Sequence, residues 1–207
     1  MSDLRSIFDT GDVSRARFLS RVFGIFSEDI VKSWACDPKA PYEDLGRPTV
    51  LVPGPDGKPT RHTLDFTLRE RGSLKTFVAE MKCEIEYQRF RYCVLENESQ
   101  LDHHKKPAFQ AFLDAAKCSK DLIVEVNIKG KRKRIDVGGA ILIWGAATLE
   151  GKERVKQIKG IYEVLTIEEI CQELRLWKKA NNSSRWSNSV SSGAMNCSRV
   201  CWTKSPD

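Results

Sequence analysis

Asp65, Glu80 and Lys82 are the residues whose types and spacing can do chemistry. The stretch from Thr63 to Glu86 reads as two adjacent strands separated by the charged turn RERGSLK. Alternation along a strand puts Glu80 and Lys82 on one face and Phe77, Ala79, Met81 and Cys83 on the other. The first strand is expected to turn Leu64, Phe66 and Leu68 inward and Thr63, Asp65 and Thr67 the opposite way. If the strands pair, two carboxylates and an ammonium share one surface. Carboxylates so placed hold one or two hard cations through oxygen, the ligand type that magnesium prefers. Such a cation polarises a phosphoryl oxygen, acidifies a bound water and steadies the leaving oxygen. A lysine beside it orients the water and offsets charge at phosphorus. The carbonyl of Met81, between Glu80 and Lys82, is a third candidate metal ligand. The competing reading is a solvated strand face, with a Glu80–Lys82 pair worth under about 1 kcal/mol.

These residues need elements to hold them. Ser14 is a candidate N-cap for a helix through RARFLSRVFGIFSEDIVKSWA, with Leu19, Val22, Phe23, Phe26, Ile30 and Trp34 as its apolar stripe. Residues 1–13 show no periodicity and read as an irregular lead-in. Prolines end the helix, and PGPDGKP supplies turn chemistry for a hairpin over residues 48–52 and 60–69. A third strand over residues 75–86 completes a meander. The following YQRFRYCVLENESQLDHH is mixed, with a helical tendency in its first half. Pro107 opens a short helix, PAFQAFLDAAK, with Phe109, Phe112, Leu113 and Ala116 on one face. LIVEVNI and GGAILIWGA read as strands. In VLTIEEICQELRLWKK, Thr166 and Glu169 fit a capping box ahead of a stripe of Ile167, Ile170, Cys171, Leu174 and Trp177. The order predicts an α/β domain around one sheet, covering residues 1–180. A Ser/Asn-rich tail over residues 181–207 is expected to be poorly ordered, with Trp186 and Trp202 as docking candidates.

Composition narrows the class. At 207 residues with 41% hydrophobic content, the chain can build one ordinary domain. No apolar run reaches the roughly 18 residues that span a bilayer, and MSDLRSIFD lacks an apolar signal region, so a cytoplasmic protein with no membrane partner is expected. Seven scattered cysteines form no CxxC pair, and three histidines lack zinc-ligand spacing, which argues against a structural zinc site and for reduced thiols. No residues are assigned to an organic cofactor.

The net charge of +6 is moderate, but its distribution is informative. Lys129, Lys131, Arg132, Lys133 and Arg134 crowd into one loop or hairpin, where they can neutralise backbone phosphates. The alternative is a solvated turn that keeps a strand edge from aggregating. His103, His104, Lys105 and Lys106 form a second basic group, in which a histidine is a candidate general base. Glu84 and Glu86 continue the Glu80–Lys82 face as extra ligands or as markers of where the strand leaves the core, the reading favoured for Glu86. Gln88 is a candidate for orienting a ligand water.

An aspartate at a strand end, then a strand ending hydrophobic-x-Glu-x-Lys, resembles the PD-(D/E)XK nuclease superfamily. Here the pattern is LDF around Asp65 and FVAEMK ending at Lys82, with Leu64 where many members carry proline. The resemblance covers roughly residues 14–145. It implies a restriction-endonuclease-like core, a mixed central β-sheet flanked by helices, with Mg2+ or Mn2+ as cofactor. It also implies a glutamate from the first helix on the metal side, for which Glu28 is the match and Asp29 the alternative. The expected protein is a metal-dependent nuclease cutting DNA, with Asp65, Glu80, Lys82 and Glu28 catalytic. Two alternatives stand beside it, a catalytically inactive nucleic-acid-binding or scaffold protein and an RNA-directed nuclease. DNA is favoured over RNA as partner, and a homodimer is left open.

Overall fold

The computed structural model describes residues 13–54, 56–86, 91–117 and 122–188. The lead-in at residues 1–12, Gln88, the side chains of Ser14, Glu86 and Trp186, and residues 189–207 with Trp202 lie outside that description.

The described residues form two larger sheets and two two-stranded ribbons, β6 (Ile85–Glu86) with β7 (Arg91–Tyr92) and β12 (Ala146–Ala147) with β8 (Val94–Leu95). The first larger sheet has the strand order β1 (Tyr42–Asp44), β4 (Phe66–Glu70), β5 (Thr76–Lys82), β11 (Ala140–Trp144), β13 (Glu163–Thr166). Its β1–β4–β5 half is antiparallel, and β11 runs parallel to both β5 and β13. The second is antiparallel throughout, in the order β10 (Lys131–Ile135), β9 (Ile123–Ile128), β2 (Pro48–Val52), β3 (Thr60–Thr63). The chain leaves the second sheet and enters the first at Leu64–Asp65. The strand expected over residues 60–69 is therefore two strands, and the predicted facing changes with it. Leu64 joins one core with Val50 and Val78, whereas Phe66 and Leu68 join the other.

Both faces of the mixed sheet are covered, so β11 (AILIW) is buried along its whole length, as a central parallel strand requires. On one side, α2 (Pro107–Ala116) packs Phe109 and Phe112 against Val78, Leu142 and Trp144. On the other, α1 (Val13–Cys36) and α4 (Ile167–Asn188) bring Val31, Trp34, Ile167 and Ile170 onto Phe66, Phe77, Ala79 and Ile143. Each large apolar side chain so buried contributes about 1.5–3 kcal/mol. Trp34 Nε1 donates to Glu173 Oε2 at 2.7 Å, which joins the two helices.

Several local expectations change. Ser14 lies inside α1, which begins at Val13. Leu19, Ser27, Val31, Trp34 and Ala35 are buried, but Val22 and Phe26 are 43% and 58% exposed, because only one strip of the wider apolar surface of α1 meets the sheet. Cys171 likewise faces outward from α4. That helix continues through Asn188, eight residues beyond the expected domain boundary. Residues 91–95 form two short strands, β7 (Arg91–Tyr92) and β8 (Val94–Leu95), where helical tendency was expected. A further helix, α3 (Leu149–Lys159), separates β11 from β13. Among the described residues no helix is long and apolar enough to cross a membrane.

Candidate active site

The register pairs Phe66 with Ala79, so Asp65 stands one step further along, across from Glu80. Asp65 Oδ2 accepts the Met81 N–H at 2.8 Å, which ties the strand-entry carboxylate to the end of β5. Lys82 Nζ donates to Glu80 Oε1 at 2.5 Å and to the Met81 carbonyl at 3.2 Å. Asp65, Glu80, Met81 and Lys82 therefore converge. The surface they share is no solvated strand face, because α2 covers its inner part. Glu80 is only 6% exposed, and Lys82 Nζ lies 5.3 Å from the centre of the Phe109 ring.

Burial raises the Glu80 carboxyl above the ordinary range; Lys82 opposes this and the negative charge of Asp65 adds to it. Its Oε2 is buried with no hydrogen-bond partner. An orphaned carboxylate oxygen beside a second carboxylate and a backbone carbonyl is an all-oxygen donor set of the kind hard divalent cations take. Asp65, Glu80 and the Met81 carbonyl thus fit magnesium or manganese, with Lys82 competing for two of the three.

Glu28 is held elsewhere. Arg47 donates one terminal nitrogen to both its oxygens at 2.6 and 2.7 Å, and Lys32 pairs with it at 2.7 Å. Burial pushes the Glu28 carboxyl up, but these two cations outweigh it and hold it below the usual range. Arg47 is paired with Glu28 and also feels the charges of Asp65 and Asp44. Asp29, the alternative, is exposed and pairs with Lys32 at 3.8 Å. Sequence reasoning passed over Arg47, whose only signal is its place at the start of β2, beside Pro48.

Behind Asp65 lies a polar knot. The Ser27 and Tyr92 hydroxyls are 3.1 Å apart, and burial pushes the neighbouring Cys83 thiol up to about 12.

A second cluster adjoins the first. Glu84, His103 and His104 present ligand atoms that lie within 4.8 Å of one another. His103 Nε2 is 2.7 Å from Glu84 Oε1, and His104 Nε2 is 3.6 Å from the same oxygen, too far for a hydrogen bond. The His104 ring packs against Phe109 and Trp144, at 5.1 and 6.0 Å between centres. Burial, then the charges of His103 and Lys82, pushes it down to about 4, so it is neutral at physiological pH. His103 and His104, adjacent in sequence and without zinc-ligand spacing, are brought to Glu84 by the fold. His104 also lines an open cleft of about 500 Å³ with Val52, His62, Leu101, Pro107 and Ala111, which Asp65, Glu80 and Lys82 do not line.

Of the two forms expected for the basic run, loop or hairpin, it takes the hairpin, with a turn leading into an edge strand. Lys129 and Gly130 take positive φ values of 52° and 78°, and β10 then carries Lys131, Arg132, Lys133 and Arg134 exposed along a sheet edge. Arg134 pairs with Glu125, Glu125 with Thr49, and Thr49 with Thr63. At about 4.8 Å per strand, the cationic edge lies roughly 14 Å across the sheet from Thr63, two residues ahead of Asp65.

No family model, no curated protein and no solved structure matches this chain.

Proposed function

We propose that the protein is a magnesium- or manganese-dependent nuclease that hydrolyses phosphodiester bonds of DNA on a restriction-endonuclease-like core. The observation that carries this reading is the unpartnered, buried Glu80 Oε2 beside Asp65 and Lys82. The topology supports it as well. A helix precedes the antiparallel β1–β4–β5 half of the mixed sheet, and a strand parallel to β5 follows α2.

Asp65, Glu80 and the Met81 carbonyl would hold the cation, which when bound supplies Lewis acidity and an acidified water. The remaining work belongs to the chain. The hydrogen bond from the Met81 N–H fixes Asp65, while burial under α2 keeps bulk water off Glu80. Lys82, released from Glu80, would orient the attacking water and offset charge as phosphorus becomes five-coordinate. Glu28 would assist only if Arg47 let it go, and Arg47 is itself suited to a backbone phosphate. The edge formed by Lys129, Lys131, Arg132, Lys133 and Arg134 would hold the nucleic acid.

One observation favours a second reading. Lys82 already neutralises Glu80 and Arg47 already neutralises Glu28, so the carboxylates have partners without a metal. A nucleic-acid-binding scaffold of the same fold would look like this. Plasmid, linear and single-stranded DNA, with RNA alongside, should be incubated with protein plus Mg2+ or Mn2+. Cleavage is expected with metal and not with EDTA, and Asp65→Ala and Lys82→Ala should each lower the rate about 100-fold or more. Equal cleavage by all three proteins sinks the assignment. Salt-dependent binding without cleavage or heat of metal binding identifies the scaffold, and cleavage of RNA alone identifies the RNA-directed enzyme.

A further inference from the structure

The chain places a second ligand set within reach of the first, and its donors are of a different kind. Glu84 lies just beyond β5, while His103 and His104 sit in the turn that leads into α2. Their ligand atoms, one carboxylate oxygen and two imidazole nitrogens, lie within 4.8 Å of one another.

The two histidines differ in a way that matters. His103 makes an ordinary pair with Glu84 at 2.7 Å and is about half exposed. His104 has only 13% of its side chain exposed, and its Nε2 is buried without a hydrogen-bond partner. That nitrogen lies 3.6 Å from the same Glu84 oxygen, with a gap where a hydrogen bond would be. Phe109 and Trp144 pack on the ring, so it cannot swing out to water without disturbing the core. Leaving a buried polar atom unpaired costs free energy, and something that accepts its lone pair removes that cost.

We propose that Glu84, His103 and His104 bind a divalent transition-metal ion of the zinc class, with an open coordination position toward solvent. Two imidazoles and one carboxylate match the three-ligand arrangement of open zinc sites. Imidazole nitrogen favours zinc, cobalt or nickel over magnesium and calcium, so this site and the all-oxygen Asp65–Glu80 set would sort metals by ligand type. The two sites share a wall, since Lys82 and His104 both lie against Phe109. Lys82 and Lys106 add positive charge near His104, which weakens the hold on a dication and leaves Glu84 to offset it. The inference does not depend on the nuclease reading, because its ligands are distinct from Asp65, Glu80 and Lys82.

The test is calorimetric titration of the metal-free full-length protein with Zn2+ and separately with Mg2+, with Co2+ absorption as the spectroscopic readout. Wild type is expected to take up one more equivalent of Zn2+ than Glu84→Gln or His104→Ala, with affinity lowered 10- to 100-fold or more in those variants. Asp65→Ala should keep this equivalent, whatever becomes of magnesium binding or cleavage. Co2+ bound there should show the absorption of a nitrogen- and oxygen-ligated ion without thiolate charge transfer, which sets it apart from cysteine. Because His104 packs in the core, the exposed His103→Ala provides a variant that leaves the fold intact. Three outcomes overturn the proposal. One is Zn2+ uptake that is the same in wild type, Glu84→Gln and His103→Ala. Another is Mg2+ displacing Zn2+ from this site at comparable concentration. The third is no uptake at all.

Discussion

Burial raises the Glu80 carboxyl while the Lys82 ammonium, 2.5 Å away, pulls it back, and burial is the larger effect. An acid raised in the folded state holds its proton more tightly there than in the unfolded chain, where its value is about 4.3. Its contribution to stability is complete below the unfolded value and is lost as pH rises through the folded one. In EDTA, Glu80→Gln should therefore match wild type at about pH 4 and be the more stable protein at about pH 7.5. Urea unfolding at the two pH values measures this, and a difference that does not change with pH would refute it. Added Mg2+ should narrow the gap by stabilising wild type alone. At this scale Asp65, Glu80 and Lys82 were legible, because a period of two and complementary charge are local signals. Arg47 on Glu28, and Glu84 with His103, were not. Those partners lie 19 residues apart, and no local pattern encodes a contact made by folding.

Elements were legible where their apolar period was strong. Pro107 opens α2 as expected, and half of the Thr166–Glu169 capping box forms: the Glu169 N–H donates to Thr166 Oγ1 at 3.2 Å, while the Glu169 carboxylate accepts from the Thr166 hydroxyl at 2.7 Å. By contrast, α3 (LEGKERVKQIK) buries only Gly151 and Val155, so it shows no stripe, although Thr148 caps its start and Gly160 ends it at φ 70°. The strand β1 (YED) carries two acids, which strands disfavour. Two glycines now separate packing from propensity. A Cβ on Gly145, just after β11, would stand 2.4 Å from ring carbons of Tyr92, the residue whose hydroxyl reaches Ser27 on α1. A Cβ on Gly24 within α1 would meet nothing within 4 Å. Gly145→Ala should cost about 1–3 kcal/mol through overpacking. Gly24→Ala should add about 0.5–1 kcal/mol by removing backbone entropy from the unfolded chain. Denaturant unfolding reads both. Combining Gly145→Ala with Tyr92→Ala should cost less than the sum of the singles, since the clash is then gone. A fully additive pair would mean that Gly145 matters for another reason.

For the whole molecule, strand alternation narrows how a nucleic acid, bound as proposed, could touch both the cationic edge and the carboxylates. On β10, Lys131 and Lys133 pair across to Ile128 and Val126, on the side of the small sheet that faces the core. Arg132 and Arg134 pair with Asn127 and Glu125, on its outer side. That outer row continues through Thr49 to Thr63, and so to the strand entry where Asp65 begins the mixed sheet. A phosphate backbone laid along the row would meet the two arginines at one end and Asp65 at the other. Of the five cations treated alike from sequence, the four on β10 are thus two sets with different prospects, and Lys129 lies in the turn before them. Replacing Arg132 and Arg134 by glutamine should lower the slope of log affinity against log salt by roughly 2, near 0.9 for each lost phosphate contact. Replacing Lys131 and Lys133 should change it less. Fluorescence anisotropy with a labelled duplex at several salt concentrations measures both slopes, and equal losses from the two pairs would rule out the outer-face path. On the proposed nuclease reading, cleavage at saturating DNA should stay near the wild-type rate in the arginine variant, because these side chains would hold the substrate while Asp65, Glu80 and Lys82 would act on it. A fall in that rate would mean instead that the edge orients the scissile phosphate as well as binding its neighbours.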